Sequence, residues 1–308
     1  WTFLKTDQSI DSEAYTAFNS AISAGSVASA RLAEQTVPQM DAVAGSNSVI
    51  SNVSNSSMNI ASARLASVRT NTLLAQYNDS LVMNDAGFNL FDFKDSQVFF
   101  KTFGSETEGD SYDNISGFKA DTYGFVLGRD KEQDDGSRLG FAYSFSDSDV
   151  SGKGSGQSVT KVDTHQLMFY GDKKIDQFLF EGMAGFSDNN NTASRRINQS
   201  GLNRVAIGKF NSRSIFTRGS LSRDIKNPFG EGVARLTFGA SASNTNNSSY
   251  TETGANSLNM NVNPDDTETL VGFTGLKFNK KLDTQSIETK MLELRLGASY
   301  DFAGDTST

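Results

Sequence analysis

The ten residues Ser137 to Ser146, SRLGFAYSFS, alternate without a break between large apolar and small side chains. Leu139, Phe141, Tyr143 and Phe145 share one face of a strand, and Gly140, Ala142, Ser144 and Ser146 share the other, because successive strand residues point to opposite sides. In a soluble sandwich the apolar face turns inward. In a membrane barrel it turns outward, and the small polar face lines a wet lumen.

The same template recurs along the chain. Candidate strands are Gln97 to Gly104, Phe118 to Asp130, Ser137 to Asp149, Lys161 to Gly171, Gln177 to Ser187, Arg204 to Asp224, Gly232 to Ala242, Leu270 to Phe278 and Glu288 to Phe302. In the seventh, Ala234, Leu236, Phe238 and Ala240 oppose Arg235, Thr237, Gly239 and Ser241. In the ninth, Leu292, Leu294, Leu296, Ala298 and Tyr300 oppose Glu293, Arg295, Gly297 and Ser299. Alternation alone leaves sandwich and barrel close. Connection lengths separate them better. Residues 131–136, 172–176, 225–231 and 279–287 read as short turns, whereas 105–117, 150–160, 188–203 and 243–269 are longer and rich in Gly, Ser and Asn. Tight turns alternating with long loops are the pattern of an outer-membrane barrel, and a Greek-key sandwich has no reason to produce it.

The expected fold is therefore all-β: an antiparallel up-and-down transmembrane β-barrel of about nine strands over residues 97–308, preceded by an α-helical region. Leu139, Phe141, Tyr143, Phe145, Leu236, Phe238, Leu292, Leu294 and Leu296 are expected to meet lipid. Composition agrees with this class. Only 36% of the 308 residues are hydrophobic and the mean hydropathy is -0.42, thin for one large soluble domain. Twenty-three Phe, eight Tyr and 27 Gly stand against three Pro, which suits β-structure. No apolar run of about 18 residues exists, which excludes helical spans but not strands of about 9 to 11 residues each. A net charge of -8 argues against a nucleic-acid partner.

Residues from Asp11 to Asn78 lack strand alternation and hold two candidate helices, Ser12 to Glu34 and Ser51 to Leu74. The second carries Met58, Ala61, Leu65, Val68 and Thr72 at spacings of three and four. It also carries Arg64 and Arg69 and no acidic residue. From the residues alone, a surface helix and a lumen helix both remain open.

The search for chemistry is mostly negative. With no cysteine, disulfides, thiol catalysis and cysteine metal sites are ruled out. His165 is the only histidine, so neither a triad with a second candidate base nor a His-rich metal site can be built. Acidic pairs such as Asp147 with Asp149 and Asp265 with Asp266 lack the spacing of a calcium loop. No catalytic, cofactor or metal site is expected.

At this point the residues resemble a known family. Phe99, Phe100, Phe103 and Gly104, followed by Tyr123, Gly124, Gly128, Arg129 and Asp130, are similar to the early strands of the translocator barrel of classical autotransporters, the type V secretion systems. The similarity continues through Leu139, Gly140, Tyr143 and Ser144, through Tyr170 and Gly171, through Gly182, Gly185, Phe186 and Ser187 with Arg195 and Arg196, and reaches the Tyr-x-Glu-x-Gly element Tyr250, Glu252 and Gly254. Arg64, Leu65 and Arg69 resemble an Arg-Leu-x-x-x-Arg element ahead of the barrel.

The resemblance implies an outer-membrane translocator that anchors an N-terminal passenger and helps export it to the bacterial surface. It implies as partners outer-membrane lipid, the outer-membrane assembly machinery, periplasmic chaperones and the passenger itself. It divides the chain into residues 1–50 at the end of the passenger, a linker helix 51–78 threading the barrel, and an incomplete barrel 97–308. Family barrels have twelve strands and end in an aromatic residue, so the chain is expected to be a piece truncated at both ends, its sheet left with an open edge. Arg64 and Arg69 are expected among lumen carboxylates, with Glu181 and Glu293 as the choices and Arg295 beside them. Asn59 occupies the position at which some members cut themselves, but Ile60 replaces the second Asn of their motif. The competing readings are a porin or OmpA-like structural barrel with an open lumen, and a soluble secreted β-rich adhesin.

Overall fold

Period-two alternation resolves into nine strands of one antiparallel sheet. They are β1 (Ser96–Gly109), β2 (Phe118–Glu132), β3 (Arg138–Gly152), β4 (Val159–Ile175), β5 (Phe178–Gln199), β6 (Leu202–Lys226), β7 (Val233–Asn247), β8 (Thr267–Leu282) and β9 (Lys290–Asp301). The computed structural model describes residues 5–6, 9–36, 40–70, 96–111, 116–154, 157–226, 233–282 and 290–303. Each strand pairs with its neighbours in sequence, and β1 and β9 form the two edges. The sheet is thus an up-and-down meander, open at both edges as expected.

Among the described residues, three α-helices precede it: α1 (Ser12–Ala24), α2 (Ser26–Gln35) and α3 (Met40–Thr70). The sequence suggests one helix over residues 12–34, but Gly25 at φ +107° breaks it into α1 and α2, a backbone angle that only glycine adopts without strain. The third helix starts at Met40, eleven residues before the expected Ser51. Residues 71–78 of the expected linker lie outside the described residues.

The sheet wraps α3, which packs against β1 through β6. Met58, Ile60, Ala61 and Leu65 of α3 meet Phe99, Val126, Ala142, Met168, Tyr170, Met183 and Phe216 of the wall. Nearer its N-terminus, Val49, Ile50 and Val53 meet Ala120, Val150 and Val162. The small residues on the inner face have a steric reason. A Cβ added to Gly140 would lie 2.4 Å from the Tyr170 ring, which crosses its neighbouring strand at that point.

The outer face is the reverse. Leu139, Phe141, Phe238, Leu294 and Leu296 are all more than half exposed, and Tyr143, Phe145 and Leu236 point the same way with partial cover. The side chain of Leu292 lies outside the described residues. So wide a band of exposed apolar side chains calls for a nonaqueous neighbour.

The connections are shorter than expected at 105–117 and 243–269, where β1 runs on to Gly109 and β7 to Asn247, and one expected loop is absent. Residues 188–203 are not a loop: β5 continues to Gln199, Ser200 and Gly201 turn at φ +55° and +84°, and β6 starts at Leu202. The polar run hides a strand because its inner residues are Asn and Ser, buried and hydrogen-bonded to wall backbone, as when Asn189 Nδ2 donates to the Ser212 carbonyl at 3.0 Å. At 22 and 25 residues, β5 and β6 far exceed the about 9 to 11 residues that cross a bilayer. Their shared hairpin therefore projects beyond its neighbours, since β4 pairs with β5 only as far as Ser194 and β7 pairs with β6 only from Ser212.

Candidate functional site

A helix inside a sheet needs partners for every polar group that it brings there, and α3 meets this requirement largely with short side chains. Asn47 donates to Thr267 Oγ1 at 2.8 Å, Asn52 to Thr107 Oγ1 at 3.0 Å, and Ser57 Oγ to Ser144 Oγ at 3.1 Å. Gln166 Nε2 reaches Ser54 at 3.3 Å, and the Ser62 hydroxyl donates to Glu181. Small residues also permit close approach: a Cβ on Gly45 would lie 2.4 Å from Val150.

Two arginines anchor the far end. Arg64 is buried, with Nε 2.8 Å from Asp130 Oδ2, Nη2 donating to Gln97 Oε1 at 2.6 Å, and its guanidinium 5.6 Å from the centre of the Phe99 ring. Asp130 is buried as well and also accepts from Arg138 at 2.6 Å and from the Tyr170 hydroxyl at 3.3 Å. One carboxylate thus serves two guanidiniums. Arg69 forms a two-point pair with Asp172, its Nη2 at 2.6 Å from Oδ1, and reaches the Gly136 carbonyl of the β2–β3 turn at 3.4 Å.

The arginines meet Asp130 and Asp172, neither of which the sequence reading chose as their partner, although Asp130 is quoted there as a motif residue. Glu181 lies in the same row of the wall as Asp172, its partner in register, and takes its hydrogen bond from Ser62. Glu293, on β9, pairs in register with Asn279 of β8, and the side chain of Glu293 lies outside the described residues. Arg295 stands opposite Lys277, a row that continues through Arg235 to Asp224, where Arg235 and Asp224 pair at 2.7 Å. Asn59 and Asn55 are both held by Arg218, at 2.7 and 3.0 Å through their side-chain oxygens. His165 is on the outer face, its Nδ1 2.7 Å from the Tyr143 hydroxyl.

The direction of α3 follows from these contacts. Asn47 and Gly45 lie against Thr267 and Val150, where long connections join the strands, and Arg69 lies against the β2–β3 turn. About 22 residues separate the two contacts, roughly 33 Å of helix against a bilayer core of about 30 Å.

A second set of contacts lies above the lumen, at the projecting hairpin. Arg195 donates to Glu252 through two nitrogens, and its remaining donors reach the carbonyls of Leu258, at 3.0 Å, and of Gln35. Arg204 pairs with both Asp11 oxygens at 2.6 and 2.8 Å, with Glu13 at 2.9 Å and with the Ala255 carbonyl at 3.1 Å. The Tyr-x-Glu-x-Gly element acquires a physical account here. The Tyr250 ring stacks on Phe210 at 4.8 Å over Gly208, where a Cβ would lie 2.1 Å from it. Glu252 receives Arg195, and Gly254, at φ +93°, passes so close to the Val205 carbonyl that a Cβ would lie 2.4 Å from its oxygen.

Known proteins resemble this chain in sequence family and in fold. A family model described as the autotransporter β-domain matches residues 98–308. The chain is 29% identical over 199 residues to outer membrane protein A of Rickettsia conorii, covering 62% of this chain and 10% of that protein. It is 28% identical over 198 residues to outer membrane protein A of Rickettsia rickettsii, covering 62% of this chain and 9% of that protein. It therefore spans about a tenth of the length of the curated relatives it matches. Among solved structures, the translocator domain of the autotransporter NalP from Neisseria meningitidis superposes with a TM-score of 0.55 at 18% identity, covering 79% of this chain and 78% of that one. The β-domain of the Bordetella autotransporter BrkA gives 0.50 at 15% identity, covering 68% and 81%.

Proposed function

The chain belongs to the autotransporter β-domain family, and from that premise we propose that it anchors a passenger joined ahead of α1 and holds the end of that passenger's path through the outer membrane. The direction of α3 carries this reading. Its N-terminal end emerges where the long connections lie and its C-terminal end stops at a short turn, so a segment ahead of it leaves on the long-loop side. That side is the cell surface, with 150–160 and 243–269 as external connections and the turn at 133–137 in the periplasm. The outer apolar band, including Leu139, Phe141, Phe238, Leu294 and Leu296, faces lipid.

An open pore is the poorer reading, because α3 fills the space between β1 and β6. The β-domain carries out no reaction of its own. Arg218 holds the side-chain oxygens of Asn55 and Asn59 inside a continuous helix, which supports a passenger that stays attached. Insertion draws on the outer-membrane assembly machinery and periplasmic chaperones, the usual route for a barrel of this family.

The test uses the full-length protein with Ser57→Cys and Ser144→Cys. Their hydroxyls are in contact at 3.1 Å, so that the two introduced sulfurs would face each other, and residues 1–308 hold no other cysteine. The crosslink is expected to form in protein whose passenger reaches antibody on intact cells. Its absence, with the Ser57→Cys thiol open to a bulky external reagent, would place α3 outside the lumen.

A further inference from the structure

The projecting hairpin and residues 250–262 form a surface that the barrel wall itself does not need. Arg195 and Ile197 continue the inner-face parity of Asn189 and Asn191 on β5, and Leu202, Arg204 and Ala206 continue that of Phe210 and Ser212 on β6. The hairpin thus turns toward the lumen axis a face of two arginines and three apolar side chains, beyond the level where its neighbours have ended. Residues 250–262 fold back on themselves in a short ladder, Tyr250 opposite Val262 and Thr251 opposite Asn261, and brace the hairpin through Ile207 and Thr253, which exchange backbone hydrogen bonds at 2.8 and 2.9 Å.

The α1–α2 pair lies on this face. Ala14, Ala17, Ala21 and Leu32 are buried against Ile197, Leu202, Ala206, Ala255 and Leu258. Alanine at three of the four helical positions lets the backbones approach closely, much as small residues do in α3. Both arginines are committed across the contact: Arg204 to Asp11 and Glu13 ahead of and within α1, Arg195 to the carbonyl that ends α2. Gln35 adds Oε1 as acceptor for the Asn198 backbone N–H at 3.0 Å.

We propose that this face is a docking site for residues 11–36 of the chain itself, and that the docked pair is a cap closing the external mouth over the N-terminal end of α3. The proposal rests on the translocator reading above. Two helices side by side, each about 10 to 12 Å across, do not fit a lumen that α3 already occupies. The cap therefore assembles only after residues 11–36 have passed outward, and its completion marks the end of export.

The test is made on intact cells carrying the full-length protein with Ala21→Cys, a buried position on α1 outside the barrel wall. Labelling by a membrane-impermeant maleimide is expected to be slow, and at least about tenfold faster when Arg204→Glu or Leu32→Glu is added. Leu32→Glu matters because it changes only the helix side, so it cannot act by misfolding the hairpin. Equal labelling rates with and without Leu32→Glu would overturn the cap. Fast labelling in the parent would do the same. The Ser57–Ser144 crosslink is scored in the same cells: if it fails, the threading is wrong, whereas a cap that fails with the crosslink intact leaves the threading standing.

Discussion

The two ends of the lumen use the same chemistry in opposite arrangements. At the turn end the helix brings arginines to carboxylates of the wall, Arg64 to Asp130 and Arg69 to Asp172, with Arg138 of the wall sharing Asp130. At the mouth the arginines belong to the wall, and their acceptors are a carboxylate of the bracing loop, carboxylates beside and in α1, and helix-end carbonyls: Arg195 with Glu252 and Gln35, Arg204 with Asp11 and Glu13. The turn end pairs groups enclosed by strands on both sides. The mouth pairs groups that the docked helices and the bracing loop cover together. The difference teaches that one end is set when the barrel closes, and the other can be set afterwards.

The sharpest way to break that comparison is Asp130→Ala. It would leave Arg64 and Arg138, both buried, without their shared acceptor, and removing one partner of a buried pair costs about 3 to 5 kcal/mol. Thermal or urea unfolding of the folded barrel should show that loss. A change below about 1 kcal/mol would mean that water reaches the turn end and that the two ends differ less than the geometry says.

A second substitution separates the ends from the wall between them. Leu294 faces outward and is 51% exposed. Leu294→Arg should cost about 2 to 4 kcal/mol if it lies near the bilayer midplane, and less near a rim. Arg295→Leu, on the opposite face, should leave membrane insertion unchanged. The readout is the fraction of protein recovered folded in the outer membrane, and equal recovery of the two variants would deny the assignment of faces.

The fold was legible in the sequence because alternation such as Leu139-Gly140-Phe141-Ala142 depends only on strand geometry, and all nine strands were readable from it. The tip of the β5–β6 hairpin was not, since Asn189 to Asn191 carry no apolar alternation even though Asn189 and Asn191 are buried. The helix partners were half legible. The family resemblance placed Arg64 and Arg69 among wall carboxylates, but which carboxylate faces Arg69 depends on how α3 is rotated about the lumen axis. A shift of one strand in the row exchanges Glu181 for Asp172, its partner in register. Arg195 and Arg204 were missed as partners of the N-terminal helices. Nothing local links Arg204 to Asp11, 193 residues away, and only the acidic first turn of α1 could have hinted at a waiting cation.

The smallest expected effect is a response of the mouth to acid. Asp11 accepts from the Ala14 backbone N–H as the N-cap of α1, from both Arg204 nitrogens and from the Ser257 hydroxyl. The Arg204 guanidinium, followed by the hydrogen bonds from Ser257 and the Ala14 N–H, holds its carboxyl well below the ordinary aspartate value against a smaller opposing pull from burial. Glu13 is the other charged group on Arg204. A depressed folded-state value means that the pair stabilises the cap fully above the unfolded value of about 3.9 and loses that contribution as pH falls through the lower folded value. The cap should therefore stay closed at neutral and mildly acid pH and begin to open only below about pH 4. Pepsin added to intact cells between pH 2 and 5 reads this directly, since cutting within residues 11–36 should rise only at the acid end while α3 remains protected. Asp11→Asn keeps the capping oxygen but removes the charge, so it should raise cutting at pH 5 toward the level the parent shows in acid. Cutting that begins in the parent already at pH 5 would show that the cap is not closed, and cutting that Asp11→Asn leaves unchanged would show that the helices are held by their alanine packing alone and that the two ends do not share one chemistry.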